Sequence, residues 1–312
     1  MKPLALLLAS AFSLALPAQE PAQKLGAAES SDTRILVDVT RVNVLFTVTD
    51  KKGHFVTNLT KSDFEVLENK KPQNIMEFAA ESDLPLRLAI LVDTSNSIRD
   101  RFRFIQEAAI EFVNDVVRPD QDKALVVSFD SSAQLVSDLS GAPEKLDSLI
   151  RDLRPGGGTA LYDAIFFACR DKLGIEHPRH KFRRAMIILS DGDDNQSQSS
   201  RDQALEMAQK SDVVIYTIST NISRLETDGD KVLKYLASET GGQAFFPFKV
   251  EDLSQSFENI ANELRHQYNI YYRPDPVKTD GSYQNIAVQV KDRKALVVRA
   301  RKGYYAPNLP KL

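Results

Sequence analysis

Four short apolar runs, each leading into a helical pattern, constrain this chain more than any other feature. They are LAILVD (88–93), ALVVSF (124–129), AMIILSD (185–191) and DVVIYTIS (212–219). Runs this short, without alternation, read as strands buried on both faces. Between them the apolar period is three to four. Ile98, Phe102, Ile105, Ala109, Phe112 and Val116 predict a helix over about 98–117. PEKLDSLIRDL, ALYDAIFFACRDKL, RDQALEMAQK and DKVLKYLASETGG predict further helices, the last closed by glycine. A final helix is expected over 250–268, with Leu253, Phe257, Ile260, Leu264 and Tyr268 on one face. Strands alternating with helices demand a mostly parallel, doubly wound, Rossmann-like sheet with helices on both faces. AQLV (133–136) is expected beside the second strand.

The two ends of the chain have a different period. Ile35, Val37 and Val39, then Val42, Val44, Phe46 and Val48, alternate with a slip near Arg41. DKKG (50–53) is a turn, and FEVLENKKPQNI (64–75) a hairpin turning near Lys70 to Pro72. Alternation returns in YNIYYRP, YQNIAVQVK and ALVVRARKGYY. Each end is small for a sheet of its own. The expectation is one β-sandwich built from 33–82 and 269–308, with the α/β domain, 86–268, inserted between them.

The exits of the buried strands carry oxygen. The first ends in Asp93 and continues with Ser95 and Ser97; the loop GGGTALYD holds Thr159 at a helix start; Asp191 ends the strand that leads into SDGDDN. Ligands of open parallel sheets bind at these carboxyl ends. Singly, each residue reads as a helix cap or a turn. Together they make five hard oxygen donors at one edge, with no His or Cys. That set suits Mg²⁺, with Mn²⁺ or Ca²⁺ as alternatives, and argues against zinc.

In this order and spacing the residues resemble the von Willebrand factor type A domain and its metal-ion-dependent adhesion site, Asp-x-Ser-x-Ser, then Thr, then Asp. The match reads Asp93, Ser95, Ser97, Thr159 and Asp191 and covers roughly 86–268. The flanking strands and RKGYYAP tail are similar to a bacterial exported branch, the von Willebrand factor A-related domain of Acidobacterial type. The resemblance implies water-mediated contacts from the Asp residues. A cation with so few anionic ligands keeps positive charge toward solvent and attracts a partner's Asp or Glu. It also implies a last helix able to slide when the site is filled, against which stands a fixed strut. Glycines 156–158 are expected to let the backbone approach the metal.

Other readings are weaker. Asp191, Asp193, Asn195 and Asp202 partly fit a calcium loop, but Gln196 stands where glycine is required. His177 and His180 have ligand spacing, yet a proline lies between them, and the basic run RHKFRR reads as a solvated strand entry. Cys169 sits among apolar residues and reads as a buried small hydrophobe. The sequons at Asn58, Asn195 and Asn221 matter only in a eukaryotic secretory route. A hydrolase is the rival class, but no nucleophile elbow, phosphate loop or second metal set is present, so an enzyme is not expected. A scaffold with a vestigial site is the third class.

Met1-Lys2 precedes PLALLLASAFSLAL and a small-residue stretch near Ala18, the layout of a cleaved secretory signal over 1–18, followed by a polar linker, 19–32. No Cys follows the apolar run, which excludes a lipoprotein. The mature chain is expected outside the cytoplasm, periplasmic or secreted, without a transmembrane segment. Apolar content of 42% and charged content of 27% are those of a globular protein, and a net charge of −3 argues against nucleic-acid partners.

Overall fold

The computed structural model describes residues 41–80, 84–177, 181–221, 223, 225–291 and 295–309. The expected signal, the linker, the start of the first β segment and His180 lie outside them.

The buried runs form the centre of a six-stranded sheet. Strands β5 (Leu86–Asp93), β6 (Lys123–Phe129), β8 (Arg183–Ser190) and β9 (Val213–Ser219) are parallel neighbours; β7 (Ala133–Ser140) pairs antiparallel with β6, and the short β10 (Ala244–Phe245) closes the other edge beside β9. Every residue of β5 is buried, as an apolar run without alternation requires.

Helices cover both faces. Against one pack α1 (Phe102–Val116), α2 (Pro143–Arg151) and α6 (Val250–Arg265), with Phe112 and Phe257 rings 4.7 Å apart. Against the other pack α3 (Leu161–Phe167), α4 (Arg201–Lys210) and α5 (Asp228–Thr240). Two helices differ from their expected form. The one expected from 98 opens as a tight 3₁₀ turn, Asn96–Arg101, before α1. The one through Cys169 passes after α3 into a π-turn, Ala168–Lys172. Helical periodicity does not distinguish these windings from α-helix. Cys169 is fully buried, and burial pushes its thiol far above the usual range, so it is the inert hydrophobe expected.

The ends of the chain form two antiparallel sheets sharing one core. One has the order β13 (Val297–Ala300), β1 (Val42–Thr49), β11 (Tyr268–Tyr272), β4 (Ile75–Ala79); the other has β14 (Gly303–Tyr305), β12 (Tyr283–Val290), β2 (Phe64–Glu68), β3 (Lys71–Gln73). Phe46, Phe64, Tyr268 and Ile286 belong to that core, with Phe46 and Phe64 edge to face at 5.0 Å. The hairpin turns at Asn69 and Lys70, both at positive φ (48° and 68°), the conformation a two-residue loop needs to match strand twist. ALVVRARKGYY, expected as one strand, splits at Arg301–Lys302 into β13 and β14, which belong to different sheets.

The seam between α/β layer and sandwich is polar. Glu263 of α6 is 1% exposed and accepts from Arg299 Nη2 of β13 at 2.6 Å and from Thr47 Oγ1 of β1 at 3.4 Å. Arg301 Nη1 donates to Asp212 at 2.6 Å, and its Nη2 to the Asn43 carbonyl. Helix α6 ends at Arg265 rather than 268, because Tyr268 is already paired with Phe46 as the first residue of β11.

The basic strand entry is not solvated, contrary to expectation. Arg183 and Arg184 are 6% and 2% exposed. Arg184 donates to the Leu173 and Glu176 carbonyls, and Arg183 to those of Leu84 and Leu264. Their guanidiniums serve carbonyls at or beside the ends of helices and strands, where the backbone leaves acceptors to be met by side chains.

Candidate metal site

The carboxyl ends of β5 and β8 bring the oxygen-bearing residues to one sheet edge. Asp93, the last residue of β5, is fully buried. Its Oδ1 accepts from the Ser95 amide at 2.8 Å, and its Oδ2 from Ser190 Oγ at 2.6 Å. The Ser95 and Ser97 hydroxyls are 3.0 Å apart; Ser95 is buried and Ser97, in the 3₁₀ turn, exposed. Asp191, half-buried, follows Ser190 and accepts from the Asp193 amide at 3.3 Å.

Backbone bonds stitch three loops together. Gly156 N donates to Thr94 O at 2.6 Å and Asn96 N to Gly157 O at 3.3 Å, which sets the glycine loop on the first. Thr159 O accepts from the amides of Asn195 and Gln196, both at 3.0 Å, which sets the SDGDDN loop on the second. Thr159, 3% exposed, donates its own amide to Asn195 Oδ1 at 3.0 Å. Asp93, Ser95 and Ser97 are thus joined directly, Asp191 through its neighbour Ser190, and Thr159 through its loop.

The glycines are also needed for the loops themselves. Gly157 is at φ +81°, and a Cβ on Gly158 would lie 2.7 Å from the Gln196 side chain, so these residues admit the turn and the neighbouring loop. Gly192, at φ +84°, is tighter: a Cβ there would lie 2.3 Å from Gly229 O at the start of α5.

The electrostatics are one-sided. Burial, followed by the repulsion of Asp191, pushes the Asp93 carboxyl up to about 6 against the pull of the Ser190 and Ser95 hydrogen bonds. No Lys, Arg or His stands among the contacts of Asp93 in the described residues. Asp193 is also raised, by burial first and then by Asp191, Asp228 and Asp230.

The calcium-loop reading fails on geometry. Asn195 holds the Thr159 amide, and Asp194 accepts from the Tyr162 amide at 3.1 Å and the Ser197 hydroxyl at 2.6 Å, a cap for α3. Among the described residues no group of three or more His, Cys, Asp or Glu is placed to hold a metal. The present donors are two carboxylates and three hydroxyls, outside that description.

Sequence reasoning missed Ser190 and Asn195. Ser190 follows the apolar run IIL and precedes Asp191, so the serine-acid pair at that strand exit was its one visible signal. Asn195 acts through a loop-to-loop contact that no local pattern encodes.

The family profile of the von Willebrand factor type A domain matches residues 88–263. A human protein, von Willebrand factor A domain-containing protein 3B, is 28% identical over 180 residues, 56% of this chain and 13% of that protein. An uncharacterized protein of Borreliella burgdorferi is 25% identical over 215 residues, 57% of this chain and 60% of the other. The chain therefore spans less than two thirds of either relative. Among solved structures, a von Willebrand factor type A protein from Catenulispora acidiphila superposes with a TM-score of 0.51 at 12% identity, over 86% of this chain and 74% of that one. Proximal thread matrix protein 1 of the mussel byssus, with a zinc-occupied MIDAS motif, gives 0.51 at 20% identity, over 63% of this chain and 49% of its own.

Proposed function

This chain belongs to the von Willebrand factor type A domain family, and from that premise we propose that it is an exported docking module that captures an acidic side chain of a partner protein in a divalent-cation-dependent way. Domains of this family commonly serve as metal-dependent protein-interaction modules.

One observation carries the reading. Asp93 is a carboxylate without exposure whose partners are a serine hydroxyl and a backbone amide, with Asp191 adding negative charge beside it. A buried carboxylate ordinarily has a cationic partner. Here the neutral hydroxyls of Ser95, Ser97 and Thr159 stand at the same edge, and the five residues fit a hard cation, Mg²⁺ first, Mn²⁺ or Ca²⁺ otherwise. A bound divalent cation would supply an open position for an outside carboxylate.

The chain's own residues prepare that position. Ser190 orients Asp93, Asn195 fixes the backbone of Thr159, and the Ser95–Ser97 contact aligns two hydroxyls. Both Asp93 oxygens already accept hydrogen bonds, which suits a ligand and leaves it poorly placed as a general base. The all-oxygen donor set favours hard cations, but the zinc in the mussel protein's motif makes Zn²⁺ a necessary arm of the test. Export rests on the N-terminal sequence, together with the division into signal (1–18), sandwich (33–82 and 269–308) and inserted domain (86–268). Among the described residues no helix is long and apolar enough to cross a membrane.

Isothermal calorimetry with Mg²⁺, Mn²⁺ and Zn²⁺ tests the site. Wild type is expected to take up Mg²⁺ or Mn²⁺, and the Asp93→Ala/Ser95→Ala variant neither. Equal uptake by both proteins would show the site misassigned, and no uptake by wild type would leave a scaffold with a vestigial site.

A further inference from the structure

The rim of the site is not uniform in charge. Arg99, exposed in the 3₁₀ turn, lies across the seam between the first two loops. Its Nη2 donates to Asn96 Oδ1 at 2.7 Å and to Pro155 O at 3.4 Å. Asn96 in turn bonds Gly157 O through Nδ2 at 3.1 Å. The guanidinium is therefore held over residues that flank Ser95, Ser97 and the glycine loop. Its Nε and Nη1 have no protein partner among the described residues, so each remains open to a single outside acceptor.

Its basic neighbours are committed elsewhere. Arg101 Nη1 donates to Thr220 O at 2.9 Å, and Arg154 Nη1 turns back onto the carbonyls of Arg151 and Leu153. On the far side of the site, Asp193 and Asp228 are exposed on the third loop and the start of α5. Asp228 is paired with Lys231 at 2.8 Å, and the first two loops have acids of their own, exposed Asp100 on the first and Asp130 beside Gly157 of the second, so Arg99 is the cation there with open donors.

We propose that Arg99 is a second anchor for the partner, which presents two carboxylates in one segment, one for the metal site and one for this guanidinium. The inference rests on the docking function proposed above and narrows it. A guanidinium held in place by two of its own hydrogen bonds loses little further freedom when a carboxylate joins one of its open nitrogens, and its charge strengthens that bond. The open nitrogens of Arg99 draw the partner's chain over the first two loops, with its second carboxylate at the guanidinium.

The test selects a random peptide library, displayed on phage, against the full chain in Mg²⁺. Wild type is expected to enrich peptides with two acids at one fixed spacing. Arg99→Gln should enrich peptides with a single acid, and Arg99→Lys, which keeps the charge, should retain the pair. The enriched two-acid peptide should bind Arg99→Gln about fivefold more weakly than wild type, with Mg²⁺ uptake unchanged. Single-acid peptides from wild type, or an acid pair that survives Arg99→Gln unaltered, would overturn the anchor while leaving the metal docking site in place. Selection of peptides with no acid at all would overturn both.

Discussion

Two carboxylates in this protein are almost equally buried and have opposite company. Glu263, at the seam between helix α6 and the sandwich, and Asp93, at the carboxyl end of β5, are 1% and 0% exposed. Burial pushes both above the ordinary carboxylate range. Glu263 meets a guanidinium from its own chain, Arg299, at 2.6 Å, with Thr47 and the Tyr216 hydroxyl completing its contacts. Asp93 meets neutral donors and a second acid. The same desolvation therefore has two meanings. Where the chain supplies the counter-charge, the acid is a joint between layers. Where it supplies hydroxyls and amides alone, the acid is, on the function proposed above, half of an interaction whose other half comes from outside.

The largest expected effect breaks the joint. Arg299→Met leaves Glu263 buried beside neutral groups and should cost about 3 kcal/mol in urea unfolding, whereas the double variant Glu263→Met/Arg299→Met should return to within about 1 kcal/mol of wild type. If the single and double variants fall equally, the pair is not a unit. A smaller effect of opposite sign is expected at the other acid. In EDTA, Asp93→Asn removes a buried charge at nearly constant shape and should stabilise the protein by about 1–2 kcal/mol, at the expense of any Mg²⁺-induced rise in Tm. A metal-free Asp93→Asn protein less stable than wild type would erase the contrast between the two sites.

The smallest effect is with pH, in metal-free Asp93→Asn protein. Because the Glu263 carboxyl is held above its ordinary 4.5, the folded chain retains a proton that the unfolded chain has lost. Its contribution is complete below that value and declines as pH rises through the raised one. Asp122 and Asp230, held low by their hydrogen bonds, act at the other end: their contribution is lost as pH falls below 3.8. A shallow maximum of stability between these windows is expected from urea midpoints across pH 3–8. A stability that rises steadily through the upper window would mean that Glu263 is not raised.

The α/β layer was legible because its physics is local. Leu88 to Val92 announce a strand buried on both faces, and the spacing from Phe102 to Val116 announces a helix with one apolar stripe. The oxygen donors were legible because strand exits are marked by the end of an apolar run, which puts Asp93 and Asp191 at a predictable edge. What escaped depends on partners distant in sequence. Arg183 and Arg184 read as a solvated run, yet the carbonyls that bury them belong to residues 84, 173, 176 and 264. Nothing in the sequence around Gly158 announces the Asn195 and Gln196 side chains that a Cβ there would meet. The boundary at Arg265 depends on β1, which claims Tyr268 for a strand. Periodicity reports a residue's own element and is silent about what that element meets.

The pairing of early with late strands sets an order of events during synthesis. β1 pairs with β11 and β13, β4 with β11, and β2 with β12. All four of these pairings wait for residues beyond 267, whereas the six-stranded sheet uses only residues 86–245. On the ribosome the sheet with its candidate-site loops can therefore be completed while β1 and β4 have no mates and β2 has only β3. The sandwich closes afterwards, as a clasp whose second half follows the sheet out of the ribosome. Until then the core faces of β1 and β2 have only each other and lack Tyr268, Ile270 and Ile286, which makes that interval the one most exposed to aggregation and the one a chaperone would guard.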